Sequence, residues 1–295
     1  MTYRLEVAAA GLTAIDVHVH LHRVESGEAT EERPSPAFDA ARQRFRVEGP
    51  SPTLEETVTY FRERRMAAVV FNVDSETATG RRGVTGAQIV AAASRYPDVL
   101  IPFASVDPWK GRVAIEEAER LIAAGVRGFK FHPPGQAFYP NDRRFYPLYE
   151  VIAGARLPAL FHTGQTAIGV STARGGGMRM KYANPIYLDD VAVDFPEMPI
   201  IMAHPSFPWQ DEALAVAVHK PQVYIDLSGW SPRYFPPQLV HYANTLLKHK
   251  VLYGSDYPLL TPDRWMRDFE QAPFRDEVRP LILKENAVRL LGLSA

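Results

Sequence analysis

The sequence predicts a closed (β/α)8 barrel of the TIM type, a single domain over residues 1–295 with long loops after the first and fifth strands. Three observations carry that prediction. Short apolar runs alternate with longer amphipathic ones eight times across roughly 280 residues, as an α/β barrel requires. Several of the apolar runs are continuous, the mark of strands buried on both faces. The first, fifth and sixth end on histidine, and an aspartate directly follows the last. An open doubly wound sheet binds ligands at one switch point and would not gather those four strands. A barrel does, because its first and eighth strands are neighbours.

Strands are expected at residues 14–20, 67–73, 100–105, 126–132, 158–162, 199–204, 223–228 and 251–255. The first helix, 53–65, follows a Ser-Pro start and opens with Thr53 and Glu56 at capping-box spacing. Amphipathic patterns at 86–96, 112–124, 145–155, 184–195 and 211–219 supply the next five. The pattern at 237–248 places Leu239, Tyr242, Ala243, Leu246 and Leu247 on one face. A last helix over 277–291 closes the chain, with Gly292 where a C-cap is expected. The connection 21–52 is rich in proline and charge, and 163–183 carries Arg174, three glycines, Arg179 and Lys181. Long loops in compact domains are usually lids or binding loops. Both follow strand C-termini, the catalytic face of a barrel, so both are expected to cover a substrate.

Composition narrows the function. Charged residues make up 23% and hydrophobic ones 46%, as in a soluble globular protein. Net charge is -1 with no long single-sign block, which argues against nucleic-acid binding. Cysteine is absent, so disulfides, thiolate nucleophiles and sulfur-bound metal are excluded and nitrogen and oxygen ligands remain. That accords with a cytoplasmic location. Residues 5–19 are mildly apolar, but they contain Glu6 and Asp16 and run straight into His18 and His20, so no cleaved signal peptide is expected. No run is long enough for a transmembrane helix.

His18 and His20 lie two apart on one strand and can face one point. His162, His204 and Asp256 close three later runs. Singly, a strand histidine is more often a packed or surface residue, and an aspartate after a strand is often a cap. Jointly, they fall at the same ends of four strands. Three imidazoles and a carboxylate suit one divalent cation, with zinc or manganese expected and no organic cofactor. His18, His20, His162 and Asp256 are the expected ligands. Asp256 is also placed to accept a proton from an activated water, with His204 as an acid–base group or a polariser of the substrate oxygen.

This ordered set resembles the amidohydrolase superfamily over essentially the whole chain. Finer wording resembles its amidohydrolase-related group (amidohydrolase 2): Gly128-Phe-Lys-Phe-His-Pro-Pro134, Phe145-Tyr-Pro-Leu-Tyr149, Leu160-Phe-His-Thr-Gly164, Ala203-His-Pro205, Tyr253-Gly-Ser-Asp-Tyr-Pro258 and Glu285-Asn-Ala-Val-Arg-Leu-Leu-Gly292. That group includes aminocarboxymuconate-semialdehyde decarboxylase, resorcylate-type decarboxylases, lactone hydrolases and aryl β-ketoacyl-CoA hydrolases. The resemblance implies a metal-dependent enzyme. Its decarboxylases commonly follow the sixth-strand histidine with glycines, whereas this chain reads His204-Pro-Ser-Phe-Pro-Trp209. Hydrolysis at a carbonyl of a β-keto acid, acyl-CoA, lactone, ester or amide is therefore the leading expectation, with non-oxidative decarboxylation as the alternative. A catalytically silent barrel is a third.

In other superfamily branches a carboxylated strand-four lysine bridges two metals, but the resembled group is mononuclear. Lys130 is expected instead to contact substrate or a carboxylate, with His132 sharing its strand parity. Trp209 and Trp230, among the aromatics that follow strand ends, favour a planar substrate. Arg174 and Arg179 suit an anionic group, which arginine grips as a fork. A small anionic molecule is the expected partner, with no nucleic acid or membrane, and homo-oligomers are common for such barrels.

Overall fold

A computed structural model describes residues 2–24 and 35–294. Among the described residues, eight parallel strands occur in the expected order: β1 (Ala14–His20), β2 (Met66–Phe71), β3 (Leu100–Pro102), β4 (Phe129–Phe131), β5 (Ala159–His162), β6 (Ile200–Ala203), β7 (Val223–Asp226) and β8 (Val251–Leu252). They form two continuous arcs, β1–β2–β3 and β4–β5–β6–β7–β8. Isolated parallel bridges, Ala104 with Phe129 and Val19 with Tyr257, join the arcs at both seams and close a (β/α)8 barrel. Most strands are shorter than the apolar runs that predict them, because the chain leaves its ladder partner near the mouth.

The β8–β1 seam is held by side chains as well as by backbone. Asp16 accepts the backbone N–H of His18 at 3.0 Å and that of Ser255 at 2.9 Å, and the Ser255 hydroxyl at 2.5 Å. Backbone bonds cross the same seam in both directions, from Asp256 N–H to His18 O and from His20 N–H to Tyr257 O. The three donors offset part of the cost of burying the Asp16 carboxyl, but burial prevails and pushes its pKa up to about 7.

Two apolar layers reveal which way each strand faces. Ile15, Val17, Val69, Phe71, Ile101, Leu160, Ile201 and Leu252 fill the barrel. Ala14, Val19, Val70, Phe129, Phe131, Phe161, Met202, Ile225 and Val251 pack outward against the helices. On β1 the two sets are out of phase, because the β1–β2 register shifts between Asp16 and Val19. Strict alternation from Ile15 and Val17 would turn His18 and His20 to the helices. The bulge reverses that parity and aims both imidazoles inward.

Helices fill the intervals largely as expected. The capping box on Leu54–Glu63 is present in both directions, Glu56 N–H to Thr53 at 3.1 Å and Thr53 N–H to Glu56 at 2.8 Å. Gly292 takes the left-handed C-cap at φ 61° after Asn286–Leu291. Four departures from expectation are informative. The helix expected at 237–248 stops at Ala243, because the Asn244 amide turns to bond Pro273 O and Arg275 N–H. Leu246 is consequently 71% exposed rather than on the packed face. A helix the sequence reading did not include, Pro262–Glu270, follows β8 with Thr261 as its cap and Trp265 fully buried. The last helix is divided into a π-turn, Leu281–Glu285, and Asn286–Leu291. The loop expected over 21–52 holds a helix, Pro36–Phe45, capped by Ser35; residues 25–34 lie outside the described ones. Among the described residues, no helix is long and apolar enough to cross a membrane.

Candidate functional site

The inward faces of β1, β4, β5 and β7, together with turns after β6 and β8, meet at one mouth. His18, His20 and Asp256 each offer a ligand atom within 4.8 Å of the others. Asp256 Oδ1 stands 3.2 Å from His20 Nε2 and 3.5 Å from His18 Nε2. His18 Nδ1–H donates to Asp226 Oδ2 at 2.6 Å, so its Nε2 lone pair points at the mouth. Phe71 packs edge-on against both rings at 5.0 and 4.9 Å and fixes their planes.

His162 and His204 stand beside this cluster as a pair. His204 Nδ1–H donates to Ser228 O at 2.9 Å, and His162 Nε2–H to Gly164 O at 3.3 Å. With carbonyls occupying the outer nitrogens, His204 Nε2 and His162 Nδ1 are left as facing lone pairs 2.9 Å apart. Two such lone pairs call for a shared proton or a cation. Burial drives both imidazoles towards the neutral form, His162 well down and His204 to about 4, which disfavours the proton. The donor chemistry therefore fits a divalent ion: imidazole nitrogens and a carboxylate, aimed inward, in a wall without cysteine.

Two of these residues depend on unusual backbone. His204 and Asp256 both have φ of 74°, the left-handed region that non-glycine residues seldom adopt. Ala203 faces the barrel interior, so ordinary alternation would point His204 outward; the left-handed turn brings its ring back to the mouth. Strain of this kind costs on the order of 1–3 kcal/mol per residue and persists where the surroundings enforce it. Glycines make room for the arrangement. A Cβ on Gly229 would lie 2.6 Å from His204 Nδ1, and one on Gly254 would lie 2.2 Å from Asp226 Oδ1.

Lys130 is completely buried, with Nζ 3.3 Å from His18 Nε2 and 5.1 Å from the centre of the Phe71 ring. Burial pulls its amine down to about 7, against the raising pull of Asp256 and Asp226. His132 faces the same mouth, its ring 4.3 Å from that of His162. Its Nδ1 accepts the Gly135 N–H at 2.9 Å, and its Nε2–H points at the Thr166 hydroxyl at 3.3 Å. Trp209 and Trp230 are half-buried on neighbouring turns, Trp230 5.9 Å from Phe207. Arg174 and Arg179 are not brought to the cluster. Both side chains are exposed on the loop after β5, with no ion pair among the described residues.

Sequence reasoning missed Asp226 and Ser228, both completely buried at the end of β7. Their signal was present: a charged residue inside an otherwise apolar run, in phase with inward-facing Tyr224. The two long loops also meet. Gly169 N–H donates to Ala37 O at 3.0 Å, and a cavity of about 500 Å³ lies between Phe38, Asn72, Ile168 and Met178. Phe38 packs at a tilt against His22 at 4.8 Å, and His22 stacks on His20 at 5.8 Å, so the cavity adjoins the site. A Cβ on Gly169 would lie 2.2 Å from Gly175 O, at φ 81°. Gly169→Ala is therefore expected to undock the loop and speed tryptic cleavage after Arg174 and Arg179 at least several-fold. Cleavage at the unchanged rate would show that the loop is held by other contacts.

Comparison with known proteins agrees with this architecture. The amidohydrolase family model matches residues 15–293. No curated protein matches the sequence. Among solved structures, an uncharacterized TIM-barrel protein from Bordetella bronchiseptica is 23% identical, with a TM-score of 0.75 over 95% of this chain and 98% of that one. A probable 2-pyrone-4,6-dicarboxylic acid hydrolase from Acinetobacter baumannii, with citric acid bound, is 18% identical, with a TM-score of 0.62 over 96% and 100%. A 5-carboxyvanillate decarboxylase from Novosphingobium aromaticivorans, with bound manganese and 3-methoxy-4-hydroxy-5-nitrobenzoic acid, is 14% identical, with a TM-score of 0.62 over 98% and 100%.

Proposed function

The chain belongs to the amidohydrolase family, whose members are metal-dependent enzymes, and from that premise we propose that it is a hydrolase acting at the carbonyl of a small, anionic, planar substrate. One observation carries the reading: His18, His20 and Asp256 converge within 4.8 Å at the barrel mouth, with the facing lone pairs of His162 and His204 beside them. His18, His20, His162 and Asp256 would hold the ion. A divalent cation there supplies Lewis acidity and a water acidified towards a pKa of about 7.

The chain's own groups do the rest. Asp256 takes the proton from the attacking water at its carboxylate and returns it to the leaving group. His204, anchored through Nδ1–H to Ser228 O, presents Nε2 as an acceptor and orients that water. Lys130 meets an anionic group of the substrate or the oxygen that gains charge. His132, with Nε2–H directed at Thr166, orients that hydroxyl as a donor at the rim. Trp209 and Trp230 form the wall against which a planar substrate stacks. With one ketone flanked by another carbonyl, the same attack cleaves a carbon–carbon bond, because the departing carbanion is a stabilised enolate. Lactones, esters and amides leave by the ordinary route.

A second reading, non-oxidative decarboxylation of an aromatic or muconate-type acid, is favoured by one feature: the buried amine of Lys130 is placed to hold a carboxylate. The two reactions separate in one assay. Purified protein, loaded with zinc or manganese, is offered β-keto acids, their CoA thioesters, lactones and hydroxybenzoates, with ¹⁸O-water and CO2 both followed. Incorporation of ¹⁸O into product supports hydrolysis; CO2 release without it supports the second reading. Metal content of about one ion per chain is expected, lost on His18→Ala. Retention of metal by that variant would remove the basis of both readings.

Arg174→Ala is expected to raise KM about threefold or more for an anionic substrate while leaving kcat unchanged, if the loop closes onto the site. An unchanged KM would assign Arg174 to the solvated surface on which the structure places it.

A further inference from the structure

The end of β7 holds two histidines of the site at once. Asp226 Oδ2 accepts His18 Nδ1–H at 2.6 Å and the Ser228 hydroxyl at 2.8 Å, while Oδ1 accepts the Ser228 N–H at 2.9 Å. The Ser228 oxygen also lies 2.9 Å from His18 Nδ1 and 3.1 Å from His204 Nδ1, and the Ser228 carbonyl takes His204 Nδ1–H. Both residues are completely buried, so water cannot substitute for either partner. The strand, moreover, is built to admit the carboxylate. Gly254 of the neighbouring turn is the only residue type that fits, since a Cβ there would overlap Asp226 Oδ1 at 2.2 Å.

We infer that Asp226 and Ser228 are positioning residues that set the tautomer of His18, and with it the lone pair that His18 turns towards the cation site. The inference rests on the metal reading given above and adds to it the device that prepares one ligand before any ion arrives. The physical reason is the asymmetry of imidazole: the nitrogen that carries hydrogen is dictated by the partner of the other nitrogen. Although burial pushes the Asp226 carboxyl pKa up, both of its oxygens already accept from Ser228, Oδ1 from the N–H and Oδ2 from the hydroxyl, so the side chain acts as an acceptor and His18 places its own hydrogen on Nδ1 and keeps Nε2 bare.

Asp226→Asn tests this with almost no change of shape. An amide has one donor end and one acceptor end. With its NH2 at the Oδ1 position it would oppose the Ser228 backbone N–H, which cannot reverse. With its NH2 at the Oδ2 position it opposes His18 Nδ1, which can. The ring then accepts at Nδ1 and turns Nε2–H towards the cation site. The analogous exchange in a serine protease triad is known to trap the wrong tautomer and to cost about 10⁴-fold in turnover.

Two measurements decide the matter without an assay of turnover. In metal-free wild-type protein with ¹⁵N-labelled histidine, two-bond ¹⁵N–¹H correlation is expected to show His18, assigned by its loss in His18→Ala, as the Nδ1–H form. In Asp226→Asn it is expected as the Nε2–H form. Competition with a chromophoric chelator is expected to give zinc affinity about 10- to 100-fold weaker in Asp226→Asn, the range seen when a ligand's outer partner is removed. Ser228→Ala leaves the carboxylate in place and is expected to lose less affinity than Asp226→Asn. A merely structural role for Asp226 would lower thermal stability without moving the tautomer. The inference is overturned if wild-type His18 is the Nε2–H form, a result that stands even if the variant fails to fold. Wild-type affinity in a folded Asp226→Asn overturns it equally. Should His18→Ala keep its metal, the metal reading fails instead, and the tautomer measurement still decides what Asp226 does.

Discussion

Asp256→Asn is expected to lower turnover by roughly 10²–10⁴-fold and to weaken the bound metal measurably, because in the proposed function it removes a general base and an anionic ligand in one step. The Asp256 carboxylate is the acidic member of the cluster, 3.2 Å from His20 and 3.5 Å from His18. Asparagine is the informative replacement. Asp256 sits at φ 74°, a conformation asparagine tolerates better than alanine does. Loss of activity can then be read as lost chemistry rather than as a distorted turn. Burial and neighbouring His204 and Lys130 act on this carboxylate in opposite senses, and burial prevails to raise its pKa. The raised value suits a group that must take a proton and later return it. Kinetics alongside metal analysis by mass spectrometry checks both halves. Unchanged turnover would mean the proton travels by another route.

His204→Asn is expected to leave the metal in place and to lower turnover by about 10²-fold or more, as loss of acid–base help does. The distinction from Asp256 lies in the hydrogen bonds. His204 is tied through Nδ1 to Ser228 O just past strand β7 and meets His162 through Nε2; both of these histidines stand outside the three-residue group that converges within 4.8 Å, and of the two we assign the ligand role to His162. Its ring is buried and held neutral, with a pKa lowered to about 4. It therefore serves as an acceptor at working pH. Asparagine again respects the left-handed backbone, at φ 74°. If the variant loses its metal, His204 is a ligand and the assignment of His162 must be revised.

Much of this molecule is legible in the chain. Each of the eight apolar runs overlaps a strand, and the capping box at Thr53 and the C-cap at Gly292 fall where their residues require. Local hydrogen-bond chemistry determines such features, so no distant contact is needed to read them. Strand lengths were less legible, because hydrophobicity continues past the point where a strand leaves its neighbour. The helix at Pro262–Glu270 did carry a Thr-Pro start signal, but its low apolar content hid it. The helix ending at Ala243 was overestimated because the partners of Asn244 lie about thirty residues away in the chain.

The sequence by itself determined the barrel, the order of its strands and the set of chemistry-bearing side chains at their ends. Periodicity and residue type are local properties, and they survive in a one-dimensional reading. Tertiary structure alone decided which way those side chains face. The bulge between Asp16 and Val19 turns His18 and His20 into the barrel, and left-handed backbone at His204 and Asp256 aims two more groups at the same mouth. It also enlisted Asp226 and Ser228, whose partners on β1 and after β6 are remote in the chain. Parity along a strand is reversed by a single extra residue, and only pairing with a neighbouring strand shows where that residue falls.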